Sequence, residues 1–203
     1  MHADERDDPA APTGHRSGIS ACRGVVAAHR RVAGEHAPRA LSELRPPASK
    51  QSIKEAEERL GFPLPGDLRE SLLCHDGDTS LLGVLPCRRL YSVAEIIASR
   101  EMRMDGWEPD DPDQAETPWW GTQWVPFAGS DGDEQFIEAG PGMWHNHLGD
   151  AGHADQACFL GWPSLGSWLH ETAESMAQHN NQSWFGAVPR PKVDDKGRID
   201  WWD

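Results

Sequence analysis

At 203 residues, with 37% hydrophobic residues, 20 Gly and 16 Pro, the chain is long enough for one domain with extra length at its ends and lean without being disordered, because ten Trp and many Leu can still build a core. Its formal net charge of −14 excludes a general affinity for nucleic acid backbones or anionic membranes. No run approaches the ~18 apolar residues of a membrane span, the first twenty residues lack the apolar stretch of a secretory signal, and Cys22, Cys74, Cys87 and Cys158 are widely spaced with no CxxC pair, so a cytoplasmic protein with reduced thiols is expected.

Residues 1–20 carry Pro, Gly, Asp and Arg without periodicity and read as a disordered segment. A domain is expected over 21–188, followed by a hairpin-like tail over 189–203. A short helix is predicted from Cys22 to Glu35, with Val25, Val26, His29 and Val32 on one side. Pro38 interrupts it, and Leu41 and Leu44 indicate one further turn before Pro46-Pro47. The clearest helix follows. Ser49 or Ser52 caps it, Ser52 with Glu55 fits a capping box, Ile53, Ala56 and Leu60 share a face, and Gly61 ends it. Phe62-Pro63-Leu64-Pro65 cannot continue a helix. A second one is predicted from about Asp67 to His75, with Leu68, Leu72 and Leu73 inward and Asp76-Gly77 as the stop.

Leu81 to Leu85 is a strand candidate. Ser92 and Glu95 form another capping box, opening a helix to about Arg103. Asp105 to Pro118 is acidic and Pro-rich, as an exposed loop would be. Trp124 to Phe127 reads as a strand, Gly129 to Asp133 as a turn, Gln135 to Ala139 as a strand, Gly140-Pro141-Gly142 as a turn and Met143 to His147 as a third strand, giving an antiparallel meander. Ser164 caps a last helix to about His179, with Leu165, Trp168, Leu169, Thr172 and Met176 on one face. Val193, then Asp194 to Gly197, then Ile199 and Trp201 have the pattern of a hairpin.

Helices that bracket a run of strands imply an α+β fold, a central antiparallel sheet flanked by helices. The Ser49–His75 helical pair should pack on the sheet, with Leu60, Leu68, Leu72 and Trp124 buried. Trp119 and Trp120 stay open between core and an exposed aromatic patch.

There is no GxSxG elbow, Walker A loop or dinucleotide fingerprint. No catalytic residue is nominated and no cofactor is expected. The sharpest competing signal is the H-x-H pair His145 and His147. On a strand both rings would share a face, and His153, Asp155 and Cys158 follow closely, all donors a transition metal accepts. A metal-dependent hydrolase using His145, His147 and His153 is the alternative this pattern supports. Zinc-finger and HExxH spacings are absent, however, so the expectation is no bound metal. Asp131-Gly132-Asp133-Glu134 lacks the order of a calcium loop and reads as a hairpin turn.

Taken together in order, Ile53, Glu57, Leu60, Gly61, Leu64, Pro65, Leu68, Gly77, Trp124, Pro126, Phe127, Ala128, Gly132 and Glu138, with Trp168 and Leu169 in the closing helix, resemble the SUKH superfamily. That superfamily includes bacterial toxin-immunity proteins and fungal cell-wall assembly regulators. The resemblance covers roughly Pro46 to Ala177. It departs at Glu138, where the family often shows Asp, and in the doubly acidic turn Asp131 to Glu134. The resemblance implies protein binding without chemistry: an immunity protein against a polymorphic toxin, or a regulatory scaffold with no toxin partner.

Charge placement nominates the surface. Between Glu101 and Cys158 thirteen Asp or Glu face a single basic residue, Arg103, a net −12. Asp105, Glu108, Asp110, Asp111, Asp113 and Glu116, with Asp131, Asp133 and Glu134 in the turn, are the expected contacts with a basic protein partner such as a nuclease toxin.

Overall fold

The computed structural model describes residues 18–80, 84–86, 88–105, 120–152, 156–178 and 191–201. In chain order these form α1 (Gly18–His36), α2 (Pro38–Ser42), α3 (Lys50–Leu60), α4 (Gly66–Leu72), β1 (Arg89–Leu90), α5 (Val93–Met104), β2 (Trp124–Ser130), β3 (Asp133–Glu138), β4 (Leu148–Ala151), β5 (Cys158–Phe159), α6 (Leu165–Gln178), β6 (Lys192–Val193) and β7 (Ile199–Asp200).

Helix ends follow their capping chemistry. Pro38 opens α2 in its first turn, where its missing N–H costs nothing. Ser49 caps α3, its Oγ accepting from the Ser52 N–H at 2.9 Å. Ser52 therefore lies inside the helix, and the Ser52–Glu55 box is replaced by a cap one turn earlier. The Ser92–Glu95 box does form at the start of α5, with Ser92 N donating to Glu95 Oε2 at 2.9 Å and Glu95 N to Ser92 Oγ at 3.2 Å. Ser164 Oγ accepts from Ser167 N at 3.1 Å and opens α6.

The strands β1-β2-β3-β4-β5 form one antiparallel sheet in sequence order. Asp131 and Gly132 close the β2–β3 hairpin in two residues. Both have positive φ, 52° and 91°, as a tight turn that follows the sheet's twist requires.

The sheet has two apolar faces. Val125, Phe127, Ile137 and Leu148 turn inward to a large core with Leu60, Leu68 and Leu72 of the helical pair and Trp168 and Leu169 of α6. Trp124 and Phe136 point the other way, into a smaller cluster with Trp120 and Ala151. The four residues expected to be buried are so, Trp124 being 8% exposed. The β6–β7 hairpin packs onto the body: Ile199 and Trp201 join the main core, and Gly197 O accepts from Arg39 N at 3.2 Å.

Several boundaries differ from the sequence expectations. Met143 to His147 is a turn, and the third strand of the meander begins at Leu148. Asn146 there is left-handed (φ 67), which no strand tolerates. α1 starts at Gly18 rather than Cys22, and α4 stops at Leu72, short of His75. Of the strand candidate Leu81 to Leu85, residues 81–83 lie outside the described residues, while Val84 and Leu85 are buried in a bend. Residues 1–17, Trp119 and His179 also lie outside them. No helix among the described residues is long and apolar enough to cross a membrane.

Candidate partner-binding surface

Arg103 organises the acidic end of the sheet. It lies in the last turn of α5, and its Nε donates to Glu134 Oε2 at 2.9 Å while its Nη2 donates to Gly132 O at 2.6 Å. The guanidinium also sits 5.3 Å from the centre of the Trp120 ring, a favourable cation–π distance. Asp105 is two residues beyond Arg103 and exposed. One buried cation thus ties Asp105, Trp120 and the Asp131-Gly132 turn to one place. Glu108, Asp110, Asp111, Asp113 and Glu116 lie outside the described residues.

The nominated acids of the turn divide by environment. Asp131 is exposed. Asp133 is half-buried and shares Arg88 with Asp150, at 3.9 Å and 3.4 Å. Glu134 is only 2% exposed and is no surface residue. Its Oε1 accepts from Ser99 Oγ and, at 3.1 Å, from Tyr91 Oη, and its other oxygen takes Arg103. In β3 it shares the face of Phe136, two residues on, and there Ser99 and Arg103 of α5 cover it, a correction to its nomination as a partner contact. Burial first, then the Glu134 charge, push the Tyr91 hydroxyl above its ordinary range, so this tyrosine stays a donor.

At the other end of β3 a loop is held rigid by its own backbone. Asn146 N donates to Glu138 O at 2.8 Å, His147 N to Trp144 O at 2.8 Å and His145 N to Gly142 O at 3.2 Å. Glu138 uses both carboxylate oxygens internally, one for Gly140 N at 2.7 Å and one for Trp124 Nε1 at 3.0 Å. That double use gives the acid at the end of this strand a structural reason. On the loop's outside stand Met143, 80% exposed, and Trp144, 41% exposed. Trp144 stacks on Phe159 at 4.6 Å and 4°. Sequence reading missed this pair because it placed both residues on a strand; the preceding Gly-Pro-Gly was the one local signal of a longer turn.

The H-x-H pair does not share a strand face. His145 Nδ1 lies 2.9 Å from Gly140 O, and the His147 ring packs edge-on against Trp144. His153 and Asp155 lie outside the described residues. Among the described residues no group of three His, Cys, Asp or Glu side chains lies together as a metal would need.

The helical corner is built for structure. Glu57 accepts from Leu64 N at 3.0 Å and pairs with Arg69, closing the Phe62–Pro65 bend. A groove of about 350 Å³ beside it is lined by Lys50, Lys54, Glu57, Arg69 and Glu70 among others, and its mixed charges produce no field of one sign. At Gly77 (φ 76) a Cβ would lie 2.5 Å from Ser92 N and 2.8 Å from Leu90 O, so only glycine fits between the helical corner and β1.

The profile of the SMI1 / KNR4 family (SUKH-1) matches residues 47–171, the stretch from the residues before α3 to the middle of α6. No curated protein matches the chain significantly.

Proposed function

The chain belongs to the SMI1 / KNR4 family (SUKH-1), and on that premise we propose that it is a non-catalytic binding protein: a cytoplasmic immunity protein that neutralises a bacterial polymorphic toxin with a basic, nuclease-type domain. The observation that carries this reading is the charge asymmetry, a net −12 between Glu101 and Cys158 in a chain of net −14. Nucleases engage phosphates and so present basic faces. An inhibitor with a concentrated negative field gains association rate and selectivity against such a face. Asp105 and Asp131 are exposed beside Arg103, and Glu108, Asp110, Asp111, Asp113 and Glu116 belong to the same acidic stretch of the sequence. Asp133 adds less, since Arg88 offsets part of its charge.

The test replaces Asp110, Asp111 and Asp113 with Asn and measures association with the cognate toxin domain at several salt concentrations. Association slows and its salt dependence weakens. If on-rate, affinity and salt slope are all unchanged in a folded variant, the acidic segment plays no part in recognition.

A further inference from the structure

We propose that the partner's footprint joins the two exposed ends of the outer face of the sheet, the carboxylates beside Arg103 and the Met143–Trp144 knob, and that the partner is a protein whose basic patch lies roughly 20 Å from an apolar socket. The distance follows from β3: its six residues, Asp133 to Glu138, separate the acidic turn from the knob loop at ~3.3 Å per residue. This inference rests on the reading above, that the acidic end meets a basic protein.

The apolar residues between these ends are continuous and support the footprint from beneath, since Trp120 and Phe136 are themselves fully buried. Trp144 stacks on Phe159, Phe159 meets Phe136 edge-on at 5.6 Å, Phe136 meets Trp120 at 5.7 Å, and the Trp120 ring lies against Arg103. Phe159 and Met104 are half-buried against this cluster, and Met104 adjoins the exposed Asp105. Gly149 lies under the Phe136 ring, where a Cβ would come within 2.1 Å of the ring carbons; the Phe136 ring thus lies close against the sheet.

The occupant follows from charge and shape together. Trp and Met side chains are strong contributors at protein interfaces, Trp through area and Met through adaptable packing. Here they stand on a loop whose backbone is already closed by hydrogen bonds, so docking loses little loop entropy. The other end of the same face carries uncovered carboxylates, Asp105 and Asp131, in the most acidic part of the chain. A purely basic ligand would leave the knob in water, and a purely apolar one would leave the carboxylates unanswered.

The experiment uses the full chain and two synthetic helical peptides of about twenty residues. One clusters Lys and Arg at one end and Leu and Phe at the other; the second has Ser in place of Leu and Phe. The wild-type protein binds the first about tenfold more tightly, a gap one or two interface side chains can supply. Met143→Ser combined with Trp144→Ser abolishes that gap and leaves affinity for the Ser peptide unchanged, while Trp144→Phe keeps it. Met143→Ser alone, at a side chain 80% exposed, narrows the gap without risk to the fold. Equal affinity of the wild type for both peptides, or a gap that survives the double substitution, overturns the proposal. Failure of Asp105→Asn with Asp131→Asn to weaken binding of either peptide overturns the underlying acidic-surface reading instead.

Discussion

Arg103 and Glu134, 31 residues apart in sequence, pair at 2.9 Å with side chains only 7% and 3% exposed. No other ion pair among the described residues is so enclosed, and it bonds the end of α5 to β3.

Breaking that pair from one side strands a buried charge. Arg103→Met is expected to destabilise the protein by about 3–5 kcal/mol. Glu134→Leu added to it should recover at least half of the loss, because the orphaned carboxylate is then gone. Urea unfolding of the single and double variants checks this; a double variant no more stable than Arg103→Met would show that the Glu134 charge is not the cause.

Two neighbouring acids should behave oppositely. Asp131→Asn sits at an exposed position with φ 52, which Asn tolerates, so stability changes by less than about 0.5 kcal/mol. Its association with a basic partner slows. Glu134→Gln lowers stability and leaves the initial association rate almost unaltered, since its charge is already answered by Arg103. Stopped-flow association beside thermal unfolding separates the two.

The pH dependence of stability has two opposing contributors three residues apart. His75 is 3% exposed and neither ring nitrogen has a hydrogen-bond partner. Burial, with the Arg30 charge, brings it down to about 4 from 6.5. The unfolded chain takes up that proton first, so stability from His75 is complete above 6.5 and is lost as pH falls toward 4. Asp78 is fully buried; burial pushes it up to about 7 against hydrogen bonds from Leu90 and Ser80 N–H and the charges of Arg89 and Arg45. The folded protein then keeps a proton that the unfolded chain has released, so stability from Asp78 is complete below 3.8 and is lost as pH rises toward 7. Between pH 4.5 and 6.5 the slopes, each about 1.4 kcal/mol per pH unit at most, cancel. His75→Leu should make the protein more stable on acidification, and Asp78→Asn less stable. Glu95 contributes only at the acid edge of that window: burial raises it, but hydrogen bonds from Arg45, Ser92 and Arg89 hold it at about 2, so its stabilisation is lost as pH falls below 4.5. Chemical denaturation across the window would refute this if both variants kept the wild-type slope.

Glycine substitutions should sort by their surroundings. Gly77→Ala meets backbone atoms of Leu90, Tyr91 and Ser92 within 2.8 Å and a positive φ, so a loss of at least about 2 kcal/mol is expected. At Gly66, the first residue of α4, nothing lies within 4 Å of a new Cβ. Gly66→Ala should be neutral or stabilising by up to about 1 kcal/mol. Thermal melts of the two variants make the comparison.

Local chemistry alone determined much of this protein. The Ser92–Glu95 box, the stop at Gly61 and the bend at Phe62–Pro65 are each decided within a few residues and stand where the sequence places them, and the β2–β3 hairpin forms as expected with its turn narrowed from Gly129–Asp133 to Asp131-Gly132. The ordered motifs from Ile53 to Leu169 likewise identify the family that the profile over 47–171 matches.

Only the tertiary structure decided what the charged and aromatic residues do. Asp131, Asp133 and Glu134 are equivalent in a sequence, yet one faces solvent, one shares Arg88 and one is sealed beneath Arg103. Trp120 is fully buried while Trp144 is exposed, although both stand next to turn residues. His145 and His147 lose their common face because hydrogen bonds from Asn146 to Glu138 and from His147 to Trp144 close the loop. In each case the deciding contact comes from another element of the fold or depends on where the chain turns. Burial and charge pairing belong to such contacts, and periodicity within one segment carries no record of them.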